Sequence, residues 1–195
     1  MKTLETERLI LRPMTIDDIR DVYEFLANED TAYWFGMPQI FEKWQVCRFI
    51  ERGEDWQYGI TIKGDDKVVG VIQVYDTEEG APGSKELGYV LSPEARGNGY
   101  MKEAVDAVCD YLFSETPTDY VSLQIRADNG PSRSIAAACG FIEDETLSFW
   151  QKDTNFYGYH LDDYTKVRET KAVNRLGDFL PLGTRRHLYR TCMAA

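Results

Sequence analysis

The chain has 195 residues, 43% of them hydrophobic, 28% charged and 13% aromatic; that composition fits one good-sized core with room for an appendage and excludes a disordered or low-complexity protein. No apolar run reaches the ~18–20 residues that span a bilayer, and the opening M-K-T-L-E-T-E-R is too charged for a signal peptide, so a cytoplasmic protein without membrane contact is expected. The net charge of −11 is uneven: residues 166–195 hold seven Lys or Arg against two Asp or Glu (+5), leaving −16 for residues 1–165, an acidic body that disfavours nucleic acid and either attracts cationic amines and basic peptides or simply aids solubility.

Residues 7–14 alternate as a short strand. Thr15 and Asp18 then have the spacing of a capping box, and Ile16, Ile19, Val22, Tyr23 and Leu26 place one apolar face on the helix that follows, which residues 27–30 close. Residues 31–41 are aromatic and contain Pro38, a composition that predicts a loop packed over a cleft. A second helix is expected over 42–52 with Trp44, Cys47, Phe49 and Ile50 inward. Residues 56–62 and 68–75 read as an antiparallel hairpin, with Gly70 marking a bulge. A loop with Gly80, Pro82 and Gly83 leads to a strand in which Leu87, Tyr89 and Leu91 alternate until Pro93 stops it.

Gly97 and Gly99 come next, and then Met101, Ala104, Val105, Val108 and Leu112 mark the apolar face of a helix. After a break at 116–119, Val121, Leu123 and Ile125 alternate in another strand. Strand, helix, strand at this separation is a βαβ unit with a locally parallel pair. Residues 128–131 start a short helix carrying Ile135, Ala136 and Cys139 and stopped by Gly140. Residues 141–145 and 147–160 read as further strands, and a helix is expected near 165–176, followed by a basic tail. Cys47, Cys109, Cys139 and Cys192 lack any paired spacing and read as reduced core residues.

The glycines at 97 and 99 lie where a helix begins, and the first N–H groups of a helix have no internal partner, so the turn suits a phosphate. A dinucleotide fingerprint would need glycine at position 102, which is Lys, and a P-loop would need G-K-[ST], which is missing. The stretch from Arg96 to Gly99 fits a third pattern, R/Q-x-x-G-x-G/A, whose amides wrap a pyrophosphate. A serine hydrolase is disfavoured by the lack of G-x-S-x-G, with His160 and His187 the only histidines.

On T-E-R-L-I-L-R-P at 6–13, E-L-G-Y-V-L-S-P at 86–93, R-G-N-G-Y-M-K-E-A at 96–104, N-G-P-S at 129–132 and C-G-F at 139–141, the chain resembles the GNAT superfamily of N-acetyltransferases, most closely its RimJ/RimL-type branch of protein N-terminal acetyltransferases. The resemblance spans about residues 6–161. It implies an α/β (α+β) GNAT acyl-CoA N-acyltransferase fold: a mixed, mostly antiparallel central sheet flanked by helices, with a splayed central pair of parallel strands. The catalytic domain would cover 1–164, and 165–195 would be a basic, helical extension free to dock on the acidic body, swap within a homodimer or meet an acidic partner. Met101 stands where the superfamily prefers Gly or Ala, and 162–168 are more charged than the family's last strand.

By this resemblance acetyl-CoA is the cofactor. The amides of Arg96, Gly97, Asn98, Gly99, Tyr100 and Met101 would hold its pyrophosphate, and the Arg96 side chain would add charge. The strand edge would bond the pantetheine, with the amide of Val90 or Leu91 polarising the acetyl carbonyl. Asn129 and Ser132 match the family's N-x-x-S pair, Asn129 on pantetheine and Ser132 protonating the leaving thiolate; Ser132 could equally cap its helix. Glu86 is the candidate general base, against the plainer reading of a solvated strand-start carboxylate. Tyr89, Tyr120 and Trp150 read as core or cleft-wall rings. The acceptor would be a primary amine. An α-amine near pKa 8 costs about 1.4 kcal/mol to deprotonate at pH 7 against about 4.6 for a lysine amine, which favours a peptide N-terminus, with small amines open. The competing reading is a non-catalytic module that keeps the fold as a CoA-binding or protein-interaction surface.

Overall fold

A computed structural model describes residues 1–53, 56–77, 83–151 and 154–162 of the chain. The expected helix near 165–176, the basic tail, and Gly80 and Pro82 lie outside the described residues. Strands β1 (Leu4–Glu5), β2 (Leu9–Pro13), β3 (Gln57–Ile62), β4 (Val68–Asp76), β5 (Ser84–Leu91), β6 (Tyr120–Arg126), β7 (Ile142–Gln151) and β8 (Thr154–Asp162) build one sheet in the order β1-β2-β3-β4-β5-β6-β8-β7. Every pairing is antiparallel except β5 with β6, the pair joined by helix α4 (Tyr100–Glu115), so the predicted βαβ crossover stands at the centre. Ser92 donates its amide to the Val69 carbonyl at 2.8 Å, and Pro93 then ends the ladder in a single 3₁₀ turn.

Helices cover both sheet faces. On one, Met101, Ala104, Val105, Val108 and Leu112 of α4 pack on Leu9, Leu11, Ile60, Ile72 and Leu87, with Ala136 of α5 (Gly130–Ala138) beside them. On the other, Val22, Phe25 and Leu26 of α1 (Ile19–Leu26) and Val46 and Ile50 of α3 (Lys43–Arg52) pack on Val68, Val71 and Val90. The run Val68-Val-Gly-Val-Ile72 is buried throughout because it feeds both cores. Gly70 lies beside a register irregularity between Ile60 and Thr61, close to the predicted bulge. A Cβ at Gly70 would stand 2.7 Å from the Val90 carbonyl oxygen, so glycine there lets β4 and β5 approach.

The capping box at Thr15 forms as expected and opens a 3₁₀ turn that runs into α1. Asp18 does more than cap: its carboxylate also takes Arg12 at 2.9 and 2.8 Å. Several expectations need correction. Ile16 sits in the 3₁₀ turn ahead of the helix and is 70% exposed. Residues 27–30 do not merely close α1. Asn28 accepts the Thr31 amide at 2.9 Å and starts α2 (Glu29–Phe35), which Gly36 ends with φ of +77°, so the predicted loop over 31–41 is helical through Phe35. On α3 it is Val46 and Ile50 that face inward, while Trp44 is 60% exposed. Asn129 rather than Ser132 caps α5, accepting the Ser132 amide at 3.2 Å.

Candidate active site

The turn that links β5 to α4 holds the sequence-predicted phosphate residues together. Gly97 and Gly99 have φ of +78° and +77°, conformations open to glycine and costly for other residues. The Asn98 side-chain amide donates to the Ala95 and Arg96 carbonyls at 3.3 and 3.1 Å, which takes up acceptors on the inside of the turn. The first-turn N–H groups of α4 have no partner within the helix, so the turn offers donors at the positive end of a sixteen-residue helix. Met101 is buried in the core under this turn and Tyr100 is half-buried. The Arg96 guanidinium leads away to α2, where it donates to Thr31 Oγ1 at 2.9 Å and stands 3.6 Å from Asp30; its Nε donates to the Leu91 carbonyl at 3.3 Å.

The parallel pairing of β5 and β6 lasts for Ser84, Lys85 and Glu86. Beyond it β5 stays with β4 as far as Leu91, and β6 stays with β8 as far as Arg126. The strands therefore splay, and the β5 edge at Leu87–Leu91 turns backbone polar groups into the opening instead of into a ladder. Val90 is buried and Leu91 half-buried at the turn end of this edge, and Glu86 sits at the apex of the splay.

Alternation along β5 divides its side chains between the two openings. Leu87, Tyr89 and Leu91 face α4 and α5. The Tyr89 hydroxyl donates to the Ser132 carbonyl at 3.3 Å, and burial drives the Tyr89 pKa well above the ordinary phenol value. Ser132 and Asn129 thus stand across the gap from β5, with Asn129 Oδ1 occupied by its capping bond. Glu86 and Gly88 face the other way, opposite Tyr75 and Gln73 of β4. At Gly88 a Cβ would lie 3.2 Å from the Tyr75 ring and 3.8 Å from Phe35 of α2, so the bare glycine admits both rings against the strand. The Tyr75 phenol is pushed up to about 12, first by burial and then by the Glu86 charge. Tyr75 is 45% exposed, and its hydroxyl donates to Gln73 Oε1 and lies 3.6 Å from the Gly88 Cβ position.

Helix α2 lies across the splay on the Glu86 and Gly88 face. Arg96 ties it to the β5 side, and Arg126 at the end of β6 ties it to the other. Arg126 donates to the Tyr33 hydroxyl, lies 4.4 and 5.7 Å over the Tyr33 and Trp34 rings, and pairs with Asp128 at 3.1 Å. Tyr75, Tyr33, Trp34 and Arg126 escaped the sequence reading. The aromatic cluster at 31–41 was the signal for Tyr33 and Trp34, whose partner Arg126 is a long way along the chain; Tyr75 and Arg126, each at a strand end, carried none. Tyr120, opposite Ser84 at the paired end of β5 and β6, stacks on His160 with centroids 5.6 Å apart. A separate surface cavity of about 850 Å³ lies against α1, and several of its charged side chains are engaged: Asp18 with Arg12, Glu24 with Lys67, and Asp21 with the Val68 amide. Among the described residues no group of side chains could hold a metal ion, and no helix is long and apolar enough to cross a membrane.

A family model for the acetyltransferase (GNAT) domain matches residues 8–142. An N-acetyltransferase of Bacillus licheniformis, p20, is 25% identical over 161 residues, covering 78% of this chain and 89% of the relative. Among solved structures, spermidine N-acetyltransferase from Vibrio cholerae in complex with CoA and spermine superposes with a TM-score of 0.69 at 15% identity, covering 83% of this chain and 99% of that one. RimL, the ribosomal L7/L12 alpha-N-protein acetyltransferase, in complex with coenzyme A gives 0.68 at 14%, covering 83% and 98%. With the family model spanning most of the chain and the splayed parallel pair at the centre of the sheet, the chain belongs to the GNAT acetyltransferase family and is an N-acetyltransferase.

Proposed function

We propose that this N-acetyltransferase transfers the acetyl group of acetyl-CoA to a cationic primary amine, a peptide N-terminus or a small amine, by direct attack. The observation that carries the reading is the splay of β5 from β6 directly ahead of the Gly97–Gly99 turn. A pantetheine arm laid in the splay finds the backbone donors and acceptors of the β5 edge, and its pyrophosphate reaches the amides of residues 96–101. CoA is the group with which spermidine N-acetyltransferase and RimL are solved, and it supplies an activated thioester. The residues present suit it. Asn129 Nδ2 can donate to a pantetheine carbonyl while its Oδ1 caps α5. Of the Val90 and Leu91 amides, the alternation of the β4 ladder leaves that of Leu91 toward the opening, where it stabilises the oxyanion of the attacked thioester.

The acceptor enters from the α2 side. There Glu86, beside the Tyr75 phenol, removes the proton that the attacking ammonium must lose. Ser132, across the splay, returns a proton to the thiolate. Tyr75 remains protonated throughout the neutral range, since its pKa is pushed up to about 12, and so acts as a hydrogen-bond donor and not as a base. Asp30 and Asp128 flank the aromatic roof, each paired with an arginine, so the preference for a positively charged acceptor rests on the acidic body as a whole. Thiol release from acetyl-CoA, measured with a panel of peptides with free N-termini, polyamines and amino sugars, tests the proposal. Transfer to one class with saturation in both substrates is expected, and absence of both transfer and CoA binding in the folded protein overturns it.

A further inference from the structure

We propose that Arg8, contributed from the start of the chain and 90 residues away in sequence from the turn it serves, is the positioning residue that orients the pyrophosphate turn for CoA. The proposal rests on the CoA site assigned above. The peptide between Asn98 and Gly99 turns about ψ of Asn98 and φ of Gly99, and Gly99, which holds a positive φ here, accepts either sign. Such a peptide can turn over. A planar trans peptide carries its carbonyl and its N–H on opposite sides, so whatever holds the Asn98 oxygen also aims the Gly99 N–H.

That holder is Arg8. Its Nη1 donates to the Asn98 carbonyl at 2.9 Å, and its Nη2 stands 3.5 Å from the Cβ position of Gly99. The guanidinium lies 4.9 Å over the Tyr100 ring. It is itself fixed, because Nε and Nη2 grip Glu103 Oε2 at 2.7 and 2.6 Å, and the Arg8 backbone N–H donates to Glu103 Oε1 at 2.9 Å. Thr6 completes the clamp by donating its hydroxyl to the same carboxylate, and the Arg8 carbonyl accepts the Lys63 amide at 2.8 Å. Glu103 belongs to the first turn of α4, whose own N–H groups form the rest of the cradle. Arg8 therefore references this peptide to the helix start, with its carbonyl held on the Arg8 side and its N–H left for the phosphate. A guanidinium can do this because it bonds a carboxylate and a carbonyl at once from separate edges.

The test is binding of two probes, CoA by calorimetry and pantetheine, which lacks any phosphate, by ligand-observed NMR. The variant R8M is expected to weaken CoA about tenfold, the loss of one charge-assisted hydrogen bond, and to leave pantetheine within about twofold. E103Q, which keeps one acceptor oxygen and replaces the other with an NH2 that cannot accept from Arg8, is expected to weaken CoA about threefold with pantetheine unchanged; it carries the test should R8M fail to fold. Equal weakening of both probes makes Arg8 merely structural and overturns the proposal, as does unchanged CoA binding in either variant. Failure of the wild-type protein to bind CoA overturns the underlying site and is distinguishable, since it appears before any substitution.

Discussion

Gly97→Ala separates the energy of the turn from its use. At Gly97 no atom lies within 4 Å of a built Cβ, so alanine meets no steric obstacle in the free protein. What it meets is the backbone: φ is +78°, and an L-residue there costs about 1–2 kcal/mol. Gly64, in the β3–β4 hairpin, provides a matched control, with φ of +89° and likewise nothing within 4 Å. Both G97A and G64A should therefore lose about 1–2 kcal/mol of unfolding free energy in urea titrations, with unchanged m-values. Only G97A should also lose CoA affinity, by at least about tenfold, because the new methyl stands where the pyrophosphate must approach the amides. Calorimetric titration of CoA into the two variants decides. If G97A binds CoA within about twofold of G64A, the pyrophosphate does not lie on this turn and the assignment of residues 96–101 is wrong.

Other expectations follow from the same geometry. E86Q should lower kcat by about 10²- to 10⁴-fold and leave CoA affinity unchanged, with the acid limb of the pH–rate profile lost; an unaltered kcat in steady-state assays would remove Glu86 as the base. G70A should destabilise by about 1–3 kcal/mol in denaturant titrations, since its methyl would stand 2.7 Å from the Val90 carbonyl oxygen, which cannot rotate away. Burial raises the Asp18 carboxyl, but the Arg12 hydrogen bonds, the Thr15 amide and the Arg12 charge outweigh it and hold the pKa below the usual carboxylate range. A carboxylate lowered on folding contributes stability that is complete above its unfolded pKa, about 4, and is lost as pH falls through the folded value. D18N should accordingly cost about 3–5 kcal/mol near pH 7 and flatten the acid limb of a thermal-melt pH series. R126M, which removes the guanidinium from Tyr33 and Trp34, should speed amide hydrogen exchange in α2 and leave α4 protection unchanged.

The parts of the molecule that could be read from the chain are those in which the local signal and the tertiary outcome agree. Alternation at Val121, Leu123 and Ile125 and the three- and four-residue spacing from Met101 to Leu112 each describe a face that the fold buries, and all eight residues are buried. The paired glycines at 97 and 99 announce a backbone conformation before any contact is known. Elsewhere the local signal had a rival. Trp44 is apolar and in helical register, yet it lies outside the arc filled by Val46 and Ile50. Aromatic density and Pro38 suggested a loop over 31–41, but Asn28 capping and the Gly36 stop were enough to make a seven-residue helix. Asn129 and Ser132 both carry oxygens suited to a cap. Which one does so depends on where the helix starts, and element boundaries are what periodicity defines least.

What remained hidden has a common physical character. Arg126 meets Tyr33 across 93 residues of sequence, and Arg96 meets Thr31 across 65. Neither arginine carries a pattern that names its partner, because a cation over a ring or a guanidinium on a hydroxyl requires no fixed spacing in the chain. The proposed cofactor half relies on backbone groups whose positions follow from glycines and strand ends, so it leaves a trace in sequence. The proposed acceptor half draws on side chains of α2, β4 and β6 that converge only when the sheet has assembled. Glu86 belongs to both halves: it is the last residue of β5 in register with β6 and the neighbour of Tyr75 on β4. Its position at the apex of the splay, where the thioester end of a bound pantetheine and an amine entering under α2 would meet, is the reason a carboxylate there is the first to test.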